Sequence, residues 1–108
     1  MSIQHKNLAT GQWNKLTLIE QLANVGSEVF RAISWKNKKK ESYSQLAFER
    51  ALELLDITLI DPKNKGRLKE IARARELIVD YFYAKNSYHT TDESLEKYFY
   101  SFNYAARA

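Results

Sequence analysis

Arg75 is the charged residue that departs most clearly from the apolar pattern around it. At about 100° per residue it falls inside the leucine- and isoleucine-rich stripe of a predicted helix. A buried guanidinium without a partner is strongly destabilising, so we expect Arg75 to meet a carboxylate. The simpler interpretation is a structural ion pair, or a long side-chain stem that lets the guanidinium reach the rim of the core, and recognition of an anionic ligand is the alternative. The candidate partners on the other predicted helices are Glu49, Asp56 and Glu28.

Glu49, Glu53 and Asp56 share one side of the second predicted helix. Carboxylates arranged in this way can hold a divalent metal in a helical bundle, so a metal-dependent hydrolase is one hypothesis. Known metal patterns are absent, because neither His5 nor His89 follows a Glu by three residues and no Glu-x-x-Glu precedes Glu53. A solvated acidic flank is the simpler interpretation, and we predict no catalytic residue, metal or cofactor.

Two lysine-rich segments separate predicted helices and give the chain much of its net charge of +4. They predict weak, salt-dependent nucleic-acid binding as an alternative function, including a role as partner of a nuclease or nucleotidyltransferase. In an up-down bundle the two segments lie at opposite ends, so one protomer does not present a single phosphate-binding patch. Solvated turns are the simpler interpretation. The lysines concerned are Lys36, Lys38, Lys39, Lys40, Lys63 and Lys65.

Aromatic residues make up 13% of the chain, and several fall outside the predicted apolar stripes. Aromatic side chains are enriched at protein interfaces, so their surplus predicts self-association as a homodimer. Tyr100 and Tyr104, one helical turn apart beside Lys97, could instead stack nucleic-acid bases, but acidic neighbours disfavour a phosphate path there. The interface candidates are Trp35, Tyr43, Tyr100 and Tyr104.

The elements that carry these residues are helices, because start signals recur along the chain. A capping box pairs Ser or Thr with Glu or Gln three residues later. A further helix start follows Asp61-Pro62, where proline ends the preceding helix. No segment alternates with the two-residue period of a strand. The boxes are Thr17/Glu20, Ser42/Gln45 and Thr90/Glu93.

We therefore predict an all-α fold, an antiparallel up-down-up-down four-helix bundle. Its helices are expected at about residues 17–35, 42–60, 67–85 and 91–106. Residues 17–108 form the bundle and residues 1–16 an N-terminal arm, with Trp13 packing on the bundle. Gly26, on the apolar side of the first helix, is expected to permit close approach of another helix.

Composition narrows the class of protein. The chain has 108 residues, a length typical of one domain, and no cysteine, which removes thiol catalysis and disulfides. No apolar run approaches the length of about 20 residues that spans a membrane, and the first residues do not resemble a signal peptide. We expect a cytoplasmic protein without membrane contact.

Several segments resemble small uncharacterised helical proteins of prokaryotes. They are LIEQLANVGSEVFRAISWK from Leu18, LAFERALELLD from Leu46, DPKNKGRLKE from Asp61 and the ending YFYSFNYAARA. The resemblance covers most of the chain and implies a stand-alone, single-domain prokaryotic protein. It supplies no catalytic residues. The sequence thus favours a non-catalytic, homo-oligomeric helical interaction module.

Overall fold

The structure is a computed structural model that describes residues 11–83 and 89–107. Across those residues the chain forms four α-helices and two short 3-10 helices, without a strand, so the predicted all-α class is confirmed. The 3-10 segments are Trp13–Lys15 and Pro62–Arg67. The helices are α1 (Leu18–Asn37), α2 (Glu41–Leu59), α3 (Leu68–Phe82) and α4 (Asp92–Arg107).

The capping box predicted at the start of α1 is confirmed. The Glu20 backbone N–H donates to Thr17 Oγ1 at 3.2 Å, and the Thr17 backbone N–H donates to Glu20 Oε1 at 2.9 Å. These hydrogen bonds favour the ionised carboxylate and hold the pKa of Glu20 below its ordinary value. Two free N–H groups of this helix end are therefore satisfied locally.

The box predicted at Ser42 is wrong, because the end of α1 decides where α2 begins. Lys39 adopts a left-handed conformation with φ 60°, and the Lys40 backbone N–H donates to the Trp35 carbonyl at 2.9 Å. This is a Schellman turn, and it leads directly into α2 at Glu41. Ser42 consequently lies inside the first turn of α2.

The start of α4 differs from its prediction by one residue. The Ser94 backbone N–H donates to Thr91 Oγ1 at 3.0 Å, and the Thr91 N–H donates to Ser94 Oγ at 2.9 Å. The reciprocal cap therefore uses Thr91 and Ser94, where the sequence suggested Thr90 and Glu93. Glu93 is consequently left free of a capping role, with its side chain exposed.

The predicted break at Asp61-Pro62 is confirmed. The Asp61 side chain accepts a hydrogen bond from the Lys63 backbone N–H at 3.2 Å, and Pro62 opens the 3-10 segment. Proline suits the first position of a helix because the backbone N–H at that position forms no hydrogen bond within the helix, so its absence in proline costs nothing. The segment carries the chain to α3 at Leu68.

Helix α1 holds the core together because it packs against both α2 and α4, while α2 also packs against α3. Its apolar stripe is wide enough to meet two neighbours, as the sequence pattern indicates. Burial, together with the negative charge of Glu70 on α3, raises the pKa of Tyr98 on α4. The largest fully buried apolar side chains are Phe48, Phe99, Leu22, Leu55, Ile71, Ile78, Leu95, Val25 and Val29.

Helices α1 and α4 run in opposite directions. Near the end of α1, Lys36 Nζ donates to Asp92 Oδ1 at 3.1 Å, and Asn37 Nδ2 donates to Asp92 Oδ2 at 3.0 Å. In the middle of α1, Gly26 lies against Phe99, further along α4. Residues earlier in α1 therefore contact residues later in α4, so the two helices are antiparallel.

Gly26 lies at a close approach of the two helices, as the sequence suggests. A Cβ added at Gly26 lies 2.9 Å from Phe99 Cβ, and Phe99 is fully buried. The Cβ of Phe99 moves only if the backbone of α4 moves, so a flexible side chain does not relieve the clash. The missing side chain of Gly26 therefore sets the spacing between α1 and α4.

We expect Gly26→Ala to lower the free energy of unfolding by about 1–2 kcal/mol, because the added methyl overpacks the α1–α4 contact at a cost in the upper part of the usual range of about 1–3 kcal/mol. The higher helix propensity of alanine offsets about 1 kcal/mol of that cost. Gly66→Ala is the matched control, since a Cβ there has no neighbour within 4 Å. Urea unfolding followed by circular dichroism measures both, and equal midpoints for Gly26→Ala and wild type would contradict the close approach.

Candidate interaction surface and buried clusters

Trp13 packs on the helices, as predicted from the sequence. Its side chain is 2% exposed, and its Nε1 donates to Thr58 Oγ1 at 3.0 Å. The Thr58 hydroxyl in turn donates to the Leu54 carbonyl at 2.6 Å. The indole thus attaches the segment before α1 to the last turns of α2, although residues 1–10 of the predicted arm lie outside the described residues.

A buried polar cluster surrounds this attachment point. Gln21 is fully buried, and its Nε2 donates to the Trp13 carbonyl at 3.0 Å and to Asp61 Oδ2 at 2.8 Å. Asn64 Nδ2 donates to Gln21 Oε1 and to the Thr58 carbonyl, each at 2.9 Å. Because these groups satisfy one another, the cluster is structural and offers no free donor set to a ligand.

Asp61 is the one acidic member of this cluster. Burial raises the pKa of its carboxyl, but hydrogen bonds from Lys63 and Gln21 outweigh burial and hold the pKa below the ordinary value. Lys63 Nζ also donates to the Asn14 carbonyl at 3.1 Å. The carboxylate therefore remains ionised and joins the α2–α3 connection to the segment before α1.

Arg75 and Asp56, two of the residues selected from the sequence, form an ion pair with Nε 3.2 Å from Oδ1. The pair is not buried as expected, since the two side chains are 41% and 51% exposed. Arg75 lies at the edge of the α3 stripe, where its long stem carries the guanidinium to solvent. The structure therefore gives Arg75 no buried site for an anionic ligand.

We expect Arg75→Ala to change the free energy of unfolding by less than about 1 kcal/mol, because solvent screens an exposed ion pair. Ala74→Arg, in the same helix, is the contrasting variant, since Ala74 is fully buried and its replacement is strongly destabilising. Thermal and urea unfolding measure both. A loss of several kcal/mol from Arg75→Ala would show that the pair is shielded from water.

Glu28, the third partner suggested for Arg75, instead joins two other arginines. Its Oε1 lies 2.8 Å from Arg31 Nη1, and its Oε2 lies 3.0 Å from Arg50 Nε. Glu28 is buried where α1 meets α2, so both oxygens need a partner. The role of Arg50 was missed because the contact crosses between helices and leaves no local sequence signal.

The three carboxylates of the metal hypothesis do not converge. Glu49 is half-buried, Glu53 is buried, and Asp56 is exposed and paired with Arg75. Throughout residues 11–83 and 89–107, no three acidic or histidine side chains are grouped so that they could hold a metal ion. The metal-dependent hydrolase therefore stays a hypothesis without a grouped set of ligands in this part of the chain.

The two lysine-rich segments lie at opposite ends of α1, which spans about 30 Å. Lys36 donates to the Tyr81 hydroxyl at 2.7 Å as well as to Asp92, and Lys63 is held by Asp61 and Asn14. Lys38 Nζ lies 5.3 Å from the centre of the Trp35 ring. Lys39, Lys40 and Lys65 are exposed.

The four aromatic interface candidates fall into two groups. Trp35 is half-buried at the end of α1, and its ring lies 4.9 Å from that of Tyr43 on α2. Tyr100 and Tyr104 lie on α4 with 56% and 72% of their surface exposed. Trp35 and Tyr43 thus cover part of each other's ring within the chain, whereas the two tyrosines of α4 project into solvent.

An open groove of about 620 Å³ lies between α1 and α4 beside Tyr100. Phe30 from α1 forms its apolar wall, and Tyr100 borders it on α4. Glu93, Glu96 and Lys97 supply charged side chains along the same border. We call this region, together with Tyr104 and Arg107, the α4 surface. Exposed aromatic residues are enriched at protein interfaces, and charged side chains are typical of an interface rim.

No protein-family model, curated protein or solved structure matches the chain in the comparisons. Among the described helices, none has both the length and the apolar composition needed to cross a membrane. The interpretation of the α4 surface therefore depends on its own chemistry.

Proposed function

We propose that this chain is a non-catalytic interaction module that acts in the cytoplasm as a homo-oligomer. In this proposal its helices form an up-down-up-down antiparallel bundle, which fits the packing of α1 on α2 and α4 and of α2 on α3. The observation that carries the function is the exposure of Tyr100, which borders the Phe30 groove, and of Tyr104 four residues further along α4. Two solvent-facing aromatic rings on one helix gain stability when a partner covers them.

Nucleic-acid association is the second candidate, and the net charge of +4 favours it. The positions and contacts of the lysines argue against the nucleic-acid function. Lys36 and Lys63 are engaged in contacts within the chain, and α1 separates the two segments. On the α4 surface, Glu93 and Glu96 flank the tyrosines and would repel a phosphate backbone. Self-association is therefore the better supported function.

Size-exclusion chromatography with light scattering and absorbance at two wavelengths separates these candidates. The protein is purified at low salt and passed over the column at low and high salt. Self-association predicts a mass that approaches twice that of one chain at low salt and a protein-like absorbance ratio at both salt concentrations. A 260 nm excess that high salt removes would instead favour the nucleic-acid function.

A further inference from the structure

The α4 surface has a regular spacing that an unrelated partner would not require. Tyr100 lies seven residues after Glu93 and seven residues before Arg107. Seven residues make about two helical turns, so the three side chains form one stripe, with each charge about 10 Å from Tyr100 along the axis. The stripe therefore has a tyrosine at its centre and opposite charges at equal distances from it.

These end charges are available to a partner. Glu93 and Arg107 are both exposed. In the part of the chain that the structure describes, neither side chain forms an ion pair or side-chain hydrogen bond. This contrasts with Glu28, Asp61 and Asp92, which are all paired. The α4 stripe thus carries unmatched charges of both signs.

We propose that α4 docks against α4 of a second copy of this chain, antiparallel, about a two-fold axis that passes Tyr100. This inference depends on the proposed self-association and specifies its surface. In such a pair, a residue a given number of positions before Tyr100 lies opposite the partner residue the same number of positions after it. Glu93 therefore meets the partner's Arg107, and Arg107 meets the partner's Glu93.

The same register gives the groove an occupant. Four positions after Tyr100, the partner's Tyr104 lies opposite Glu96, which borders the groove next to Phe30. The exposed Tyr104 ring is then covered by Phe30 of the other protomer, with its hydroxyl toward the charged border. Two-fold symmetry repeats this contact, so the proposed interface buries four tyrosines in two grooves.

Charge determines the direction of the pair. A parallel arrangement in the same register would place Glu93 against the partner's Glu93 and Arg107 against the partner's Arg107. Like charges in contact oppose association, whereas the antiparallel arrangement matches both ends. The charge pattern of α4 is therefore complementary to itself only when reversed.

Charge reversal tests this arrangement. We expect Glu93→Arg and Arg107→Glu each to weaken self-association by about tenfold or more, since each places like charges at both ends of the pair. A one-to-one mixture of the two variants should restore association, because every contact in the mixed dimer then joins opposite charges. Sedimentation equilibrium measures the three samples beside the wild type.

Glu41→Arg is the matched control, because Glu41 is also an exposed acidic residue in the first turn of a helix, but on α2. It should leave association unchanged, and circular dichroism checks that every variant is folded. A wild-type dimer that neither reversal weakens would overturn the α4 arrangement and leave the proposed function intact. Failure of the mixture to recover would also overturn it, and a monomeric wild type would remove both proposals.

Discussion

Trp13→Ala is expected to lower the free energy of unfolding by about 3–5 kcal/mol, the range typical of a large aromatic side chain removed from a core. Trp13 is 2% exposed, so its loss leaves a cavity between the segment before α1 and the end of α2. It also removes the donor to Thr58 Oγ1. Chemical unfolding followed by far-ultraviolet circular dichroism measures the change.

Two further variants separate the contributions to this effect. Trp13→Phe keeps most of the apolar volume and loses the indole donor, so we expect a smaller loss, of about 1–2 kcal/mol. Trp35→Ala is the matched control, because Trp35 is only half-buried and its ring contacts that of an exposed tyrosine at a tilted angle. Equal losses from Trp13→Ala and Trp35→Ala would contradict the anchoring role of Trp13.

Gln21→Leu is expected to cost about 2–5 kcal/mol, since it removes several partners from a buried cluster at once. Asp61 loses one of its donors, and Asn64 Nδ2 and the Trp13 carbonyl each lose a partner. Asn24→Leu is the control: it removes an amide from the same helix, but at an exposed position. We expect it to change stability by less than about 0.5 kcal/mol.

Acidification provides an independent check of the same cluster. Because folding lowers the pKa of Asp61, its contribution to stability is fully present above the unfolded value of about 3.9. That contribution disappears as the pH falls through the lower pKa of the folded state. The stability difference between wild type and Gln21→Leu should therefore narrow below about pH 4. A constant difference down to pH 2 would show that Asp61 does not depend on Gln21.

Local signals in the sequence were sufficient to predict the helices. The reciprocal hydrogen bonds of Thr17 and Glu20 involve residues three positions apart, and the effect of Pro62 is felt by its immediate neighbours. Each of these two features depends on few neighbouring residues, and both form as predicted. The start of α2 was mispredicted because the left-handed turn at Lys39 completes α1, and a lysine gives no signal for that conformation.

The partners of buried polar groups could not be predicted in this way. Trp13 and Thr58 are 45 positions apart, and Gln21 and Asn64 are 43 apart, so their hydrogen bonds exist only after the helices pack. The periodicity also placed Arg75 in the core, because angular position alone does not show how far a long side chain reaches. Its contact with Asp56 and the reach of its stem to the rim were both among the interpretations of the sequence, but the periodicity could not decide between a buried and an exposed pair.

Only part of the α4 surface could be predicted from the sequence. Tyr100 and Tyr104 could be identified as surplus aromatics, and the seven-residue spacing of Glu93, Tyr100 and Arg107 is readable there. The contribution of Phe30 to the groove could not be predicted from the sequence, because Phe30 lies on α1 and its position beside α4 depends on the close approach at Gly26. Searching a predicted helix for opposite charges at equal distances from a central aromatic residue would have found the stripe.

Sedimentation equilibrium of the intact wild-type protein over a wide range of concentrations tests the central claim most directly. Self-association through the α4 surface predicts that the measured mass approaches twice that of one chain as the concentration rises. The mass should return reversibly to that of one chain on dilution. The association should weaken as salt is raised, because exposed charges contribute to it. A mass equal to one chain at every concentration would contradict self-association and the function inferred from it.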